Sequence, residues 1–333
     1  MAEFSVDVHA PKLRALQERG VYLGTSSWIY EGWIGQVYRD GYLGKRGAFS
    51  KTRFRAECLA EHARVFPTVC FDGAYYRAPS EKQLRTYQEE LRRADGTSSV
   101  MAFKVSEAIT LREDRAGVPN PGYLSPRLFT ETVLSPIIEV MGASSSAAAS
   151  ALGPLILEFS PFFFGQPYGQ RDYSPLAFVR DLHHFFAGLS SEGRAANAAG
   201  GTAAIKFAVE VRDPELLAFP KYLDCLEYHG VAHVLNEQTW MPEIAQQLEI
   251  PGIETAPFTV IRALVRPGVK HHDAVEEFEP YDRTQLVLPK LREALATSVR
   301  HALATNRQLY AYVNNRAEGN SPNTIASVLE MIG

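Results

Sequence analysis

Residues 205–212 read Ile-Lys-Phe-Ala-Val-Glu-Val-Arg, an apolar run that ends charged. Side chains alternate along a strand, so Ala208, Glu210 and Arg212 share one face, and Phe207, Val209 and Val211 share the other. A small residue followed by an acid and a base is poor core material. Burying an unpaired charge is costly, so such a strand usually ends at a site.

Working outward, seven more β-rich runs appear: 21–26 VYLGTS, 68–72 TVCFD, 100–105 VMAFKV, 154–159 PLILEF, 231–236 VAHVLN, 258–263 FTVIRA and 309–314 LYAYVN. With 205–211 they make eight short, apolar runs rich in Val, Ile, Phe and Tyr. Helical spacing fills most intervals, over 54–65, 80–94, 174–189, 214–229, 284–304 and 322–332, with a short helix near 241–248. Ser174-Pro175 and Asp213-Pro214 each read as a cap followed by proline at the first helical position. Strand alternating with helix implies a parallel sheet covered by helices. A count of eight predicts an α/β fold closed as a (β/α)8 TIM-like barrel. We expect a single domain over 21–333 with inserted loops, preceded by a short N-terminal extension over 1–20 that holds a helix near 9–19. The low-complexity stretches 142–152 and 188–202 bury little surface and read as mobile insertions.

Composition bounds the function. The 333 residues are 46% hydrophobic and 22% charged, as in globular proteins, and the net charge of −4 gives no whole-protein signal for nucleic acid. The opening MAEFSVDVHAPKLR has no apolar signal region, and no apolar run reaches about 18 residues, so we expect a cytoplasmic protein with no membrane partner. The three cysteines, Cys58, Cys70 and Cys225, are scattered without metal-ligand spacing and suit a reducing compartment. His271-His272-Asp273 reads as a polar loop with no matching ligands elsewhere, so no metal is expected there. No P-loop, G-x-G-x-x-G after a strand or G-x-S-x-G is present, and no cofactor is expected.

In a barrel the site lies at the C-terminal strand ends. The parity of 205–212, carried to the other runs, puts Asp72, Lys104, Glu158, Asn236, Arg262, Asn314 and Asn315 at one rim. Glu237 has the opposite parity. Bland readings stand beside each: Glu210 and Arg212 as a structural ion pair, Lys104 as a snorkelling side chain, Asp72 and Glu158 as turn residues, and the two asparagines as partners of loop backbone. Trp28, Tyr30, Trp33, Tyr75, Tyr76 and Phe162 to Phe164 follow strand ends, where rings stack ligands or pack loops. Basic groups gather at Arg39, Lys45, Arg46, Lys51, Arg53 and Arg55. With Arg262, Arg266 and Lys270 they either attract phosphate or nucleic acid or form a solvated face.

The order of motifs resembles the DUF72 (YecE-like) family. It is carried by Gly24-Thr25-Ser26-Ser27-Trp28, Trp33-x-Gly35-x-x-Tyr38 and Tyr75-Tyr76-x-x-Pro79. Phe103-Lys104-Val105 with Ile109-Thr110, Val209-Glu210-Val211-Arg212, Arg262 and Asn314-Asn315-x-x-x-Gly319-x-x-x-Asn323 complete it. The resemblance spans roughly 21–332 and implies a TIM barrel without an established biochemical function. The chain departs from the family pattern at Ser27, where Gly is usual, and at Leu111 and Asp213, where His is usual. It departs also at Asn236-Glu237 in place of Asp, at Glu158 in place of Gln, and at Cys70 and Asp72 where Glu and Asn are favoured.

The leading expectation is a small-molecule enzyme with a polar, anion-binding site at the rim, a hydrolase or isomerase on a phosphorylated or sugar-like substrate. Glu210, Lys104 and Glu158 are its catalytic candidates, with Glu210 as the acid or base. Arg212, Arg262, Asn314, Asn315, Asp72, Tyr76, Trp28, Trp33 and Asn236 are its ligand-binding candidates. A Glu158/Glu210 pair suits glycoside hydrolysis if the two flank a bond. The second reading is a non-catalytic nucleotide or nucleic-acid binding protein using loop 39–55 and the rim aromatics. The third is a metal-dependent phosphodiesterase or nuclease, disfavoured because the histidines mostly miss the strand ends.

Overall fold

In the computed structural model eight parallel strands close in sequence order into a barrel, β1 to β8, with β8 returning to pair with β1. All residues are described except 1–2, 40, 46, 115, 143–150, 167–168, 170–172, 199–204 and 270. The strands are β1 Val21–Ser26, β2 Thr68–Phe71, β3 Val100–Lys104, β4 Leu152–Glu158, β5 Phe207–Glu210, β6 Ala232–Glu237, β7 Phe258–Ala263 and β8 Gln308–Val313. The expected TIM-like barrel is therefore the fold, with each boundary within a few residues of its expected place. Among the described residues no helix is long and apolar enough to cross a membrane.

The alternation read at 205–212 organises the barrel interior. Cys70, Ala102, Ile156, Ala208, Val234, Val260 and Tyr312 form an apolar cluster with Val100, Ala232, Phe258 and Tyr310, separate from the larger core. Opposite-parity residues such as Val69, Phe103, Leu157, Val209, Leu235 and Ile261 belong to the outer core, under the helices. The lumen is thus filled with side chains, and a ligand has room only at its ends.

Outer helices surround the strands: α1 Val6–Glu18 precedes β1, and α2 Lys51–Val65, α3 Glu81–Leu91, α4 Pro175–Ala198, α5 Pro220–His229, α6 Pro289–Thr305 and α7 Ser321–Ile332 follow strands. Local chemistry sets their starts. Ser50 accepts from the Arg53 amide, Ser174 accepts from Ala177 N, and Ser80 forms a capping box with Gln83. Asp213-Pro214 differs from expectation. It opens a short 3-10 turn, Pro214–Leu216, and α5 begins only at Pro220. His271–Phe278 is a helix rather than a loop. Of the two low-complexity stretches, 143–150 and 199–202 lie outside the described residues, while α4 continues through the first part of the second.

Candidate functional site

Six charged side chains from five consecutive or near-consecutive strand ends meet at the C-terminal rim. Arg262, projecting inward from β7, is the hub. Its Nη1 donates to Glu210 Oε2 at 2.5 Å and to Glu158 Oε2 at 3.0 Å, and its Nη2 donates to Asp72 Oδ1 at 2.6 Å. Arg212 Nη2 reaches Glu158 Oε1 at 2.7 Å and Glu210 Oε1 at 3.4 Å. Lys104 Nζ reaches Glu158 Oε2 at 2.5 Å. Glu158 and Glu210 are direct partners in the β4–β5 register, so two carboxylates stand side by side and need the cations between them.

Exposure sorts these groups into a floor and a mouth. The side chains of Glu210, Arg262 and Glu158 are 0%, 2% and 5% exposed, against 10% for Lys104, 19% for Arg212 and 32% for Asp72. The carboxylate pair and its bridging guanidinium lie deepest. Two cations and Asp72 stand above them. Burial alone pushes the Glu158 carboxyl up, but Arg212, Lys104 and Arg262 outweigh burial and hold it well below the usual carboxylate range. Glu158 is therefore ionised at any physiological pH. Burial opposes charge on Arg262 too, and the carboxylates of Asp72 and Glu210 overcome it.

Tyr75, in the 3-10 turn after β2, completes the mouth. Its ring lies under Lys104 Nζ, 4.3 Å from ammonium to centroid, and its hydroxyl lies beside Ser160. Burial pushes its phenol up, so it keeps its proton. Cys70, one pleat below, donates to Asp72 Oδ1 at 3.5 Å, and burial holds it a thiol.

The other expected residues stand outside this ion-pair network. Asn236 is buried in the lumen, where its amide donates to Val211 O and Val234 O. Asn314 Oδ1 accepts from Arg316 N and caps the short helix Asn315–Glu318. Asn315 Oδ1 accepts from both the amide and hydroxyl of Ser321. Trp28 is buried against Phe71 and Tyr87, and Trp33 against Tyr30 and Tyr38. Tyr76 is exposed, edge-on to Tyr75.

The model of the family described as "Protein of unknown function DUF72" matches residues 22–333. The chain belongs to that family. A crystal structure of a DUF72 family protein from Enterococcus faecalis is 16% identical over 93% of this chain and 95% of its own, with a TM-score of 0.53. One from Thermotoga maritima is 17% identical over 94% and 98%, also at 0.53. Identities this low support the fold alone. No curated protein matches the chain.

Two departures from the DUF72 pattern gain a physical reading. Ser27 sits at φ 71°, the left-handed region that glycine enters without steric cost. Asp213 accepts from Phe162 N and Phe163 N, at 2.9 and 2.7 Å, and so anchors the loop leaving Glu158. Tyr75 was legible as a motif residue, but nothing in its spacing announced contact with Lys104. Asp213 gave one signal, an acid directly after the Glu-x-Arg strand.

Proposed function

We propose that this DUF72 protein is a small-molecule enzyme, a hydrolase or isomerase acting on a phosphorylated or sugar-like substrate at the barrel rim. The (β/α)8 fold is compatible with many such activities. The observation that carries the proposal is the vertical order of the charges. Carboxylates Glu158 and Glu210 lie beneath, and the ammonium of Lys104 and guanidinium of Arg212 lie toward solvent. An arriving anion meets the cations first. A purely structural network gains little over apolar packing of the same volume, so its position at the mouth favours use.

Roles follow from access. Glu158, ionised and touched by both mouth cations, is too weak a base to take a proton and is suited instead to position Lys104 and Arg212 and balance their charge. Lys104 and Arg212 are suited to hold the phosphate or a developing oxyanion. Tyr75, kept protonated, is suited to donate a hydrogen bond. Glu210 was expected above as acid or base. With no surface open to a ligand, it takes the role of fixing Arg262 and Arg212 instead. That burial also disfavours glycoside hydrolysis by the Glu158/Glu210 pair, since both carboxyls must flank the scissile bond.

Three of the six loop cations on which the nucleic-acid reading rests are paired with neighbouring carboxylates on the surface. Arg39 pairs with Asp7, Lys51 with Glu31 at 3.6 Å, and Arg53 with Glu57 at 3.0 Å. Calorimetric titration with a panel of sugar phosphates and with single-stranded oligonucleotides tests the choice. Sugar-phosphate binding that is lost in Arg212→Gln and kept in a Lys51→Ala, Arg53→Ala double variant supports the enzyme reading. Oligonucleotide binding lost only in the double variant overturns it.

A further inference from the structure

We infer that His183, Cys225 and His229 form a zinc-type transition-metal site on the outer helices, distant from the rim and independent of the function proposed there. Cys225 and His229 lie four residues apart on α5, one turn and one face. His183 comes from the neighbouring α4. His183 Nδ1 is 3.1 Å from His229 Nε2, and the ligand atoms of all three lie within 4.8 Å of one another. Tetrahedral zinc, with bonds of about 2.0 Å to nitrogen and 2.3 Å to sulfur, sets its ligands on edges of roughly 3.3–3.7 Å. The two nitrogens, at 3.1 Å, are close to that spacing, and the sulfur, within 4.8 Å of both, must approach by up to about 1 Å. Among the described residues this is the one group of three or more His, Cys, Asp or Glu side chains that converges in this way.

The donor set selects the metal. One thiolate and two imidazoles suit zinc and exclude magnesium and calcium, which require oxygen. Burial is graded: Cys225 is buried, His229 half-buried and His183 exposed. The thiolate would therefore bind on the protein side, leaving the fourth position to solvent. Cys225 now makes only a weak 3.8 Å contact to Val179 O, so little is lost on turning to a metal. α5 ends at His229 and leads through Gly230 into the start of β6, which puts the site toward the face opposite the catalytic candidates. Its role is to staple α4 to α5.

Titrating the chelator-treated full chain with Co2+, followed by Zn2+ competition, tests the site. One equivalent should give tetrahedral d–d bands and a thiolate-to-cobalt charge-transfer band. Cys225→Ser should abolish the charge-transfer band, Cys58→Ser should retain it, and the exposed-site variant His183→Ala should weaken binding about a hundredfold. Absence of the band in the wild type, its survival in Cys225→Ser, or unchanged affinity in His183→Ala overturns the inference. His183→Ala changes an exposed side chain, so it remains informative if Cys225→Ser misfolds.

Discussion

Arg262 Nη1 lies 2.5 Å from Glu210 Oε2, an ion pair between β7 and β5 with both side chains shut off from solvent. Neither residue keeps its charge cheaply alone. Arg262 also neutralises Glu158 and Asp72, so removing it takes a partner from three carboxylates, of which Glu158 and Glu210 keep Arg212, whereas removing the Glu210 charge leaves two partners of Arg262 in place.

The two truncations should therefore differ. Arg262→Met should cost about 3–5 kcal/mol in urea unfolding, the usual penalty for an uncompensated buried charge. Glu210→Gln keeps shape and one acceptor and should cost about 1–3 kcal/mol. It should also leave any sugar-phosphate affinity within a few fold. Loss of that affinity with unchanged stability in Glu210→Gln would restore Glu210 as the group that meets substrate.

Glu158 gives the network a pH signature. Its folded carboxyl lies below the ordinary value, so its stabilisation is complete above about pH 4.3, the unfolded value, and fades as pH falls toward the folded one. The stability advantage of the wild type over Glu158→Gln should shrink by about 1 kcal/mol per pH unit below pH 4. Denaturant unfolding at pH 6, 4 and 3 measures it, and a constant difference would contradict the assignment.

His62 titrates on the outer side of the barrel. It lies on the buried face of α2, its Nε2 is 2.8 Å from Thr25 Oγ1, and burial followed by Arg93 lowers it to about 3. The unfolded chain binds its proton near pH 6.5 and the folded chain does not, so this residue makes stability fall as pH drops from 6.5 toward 3. His62→Gln can keep the Thr25 contact without titrating. The stability lost by the wild type between pH 6 and pH 5 should exceed that lost by the variant by about 1 kcal/mol. Equal losses would place the proton elsewhere.

The rim was readable because strands have a period of two. Once Ala208, Glu210 and Arg212 were put on one face, the same parity located Lys104, Glu158, Asp72 and Arg262, and these meet. Parity says which way a side chain leaves the backbone and nothing of what it reaches. Asn314 and Asn315 carry the same amide, yet capping and Ser321 engage them, because the chain turns into helix directly after β8. Trp28 and Trp33 follow β1, but Trp28 packs against Phe71 and Tyr87 and Trp33 packs against Tyr30 and Tyr38 of its own loop. The order of burial within the network, with Glu210 under Arg212, depends on rotamers and strand stagger that local spacing does not encode. His183, Cys225 and His229 were invisible because two helices from different crossovers bring them together.

Gly24 is where the barrel's closure is most exposed to a single change. It sits in β1 opposite Tyr312 of β8, whose large ring fills the lumen that the glycine leaves open. A Cβ on Gly24 would lie 2.0 Å from Thr68 O and 2.8 Å from its Cγ2. The nearer obstacle is backbone in the adjacent strand β2, held there by pairing with β1 and β3. No rotamer relieves it, and the strand cannot withdraw without opening the sheet. Gly24→Ala should therefore destabilise by more than the ~1–3 kcal/mol of ordinary overpacking and leave little soluble protein. Adding Thr68→Ser removes Cγ2 and leaves the carbonyl, so it should not rescue. Tyr312→Phe loses only a 3.3 Å contact from Thr68 Oγ1 and should stay folded. Rescue of Gly24→Ala by Thr68→Ser, judged by soluble yield and melting temperature, would show that the side chain rather than the strand backbone sets the limit.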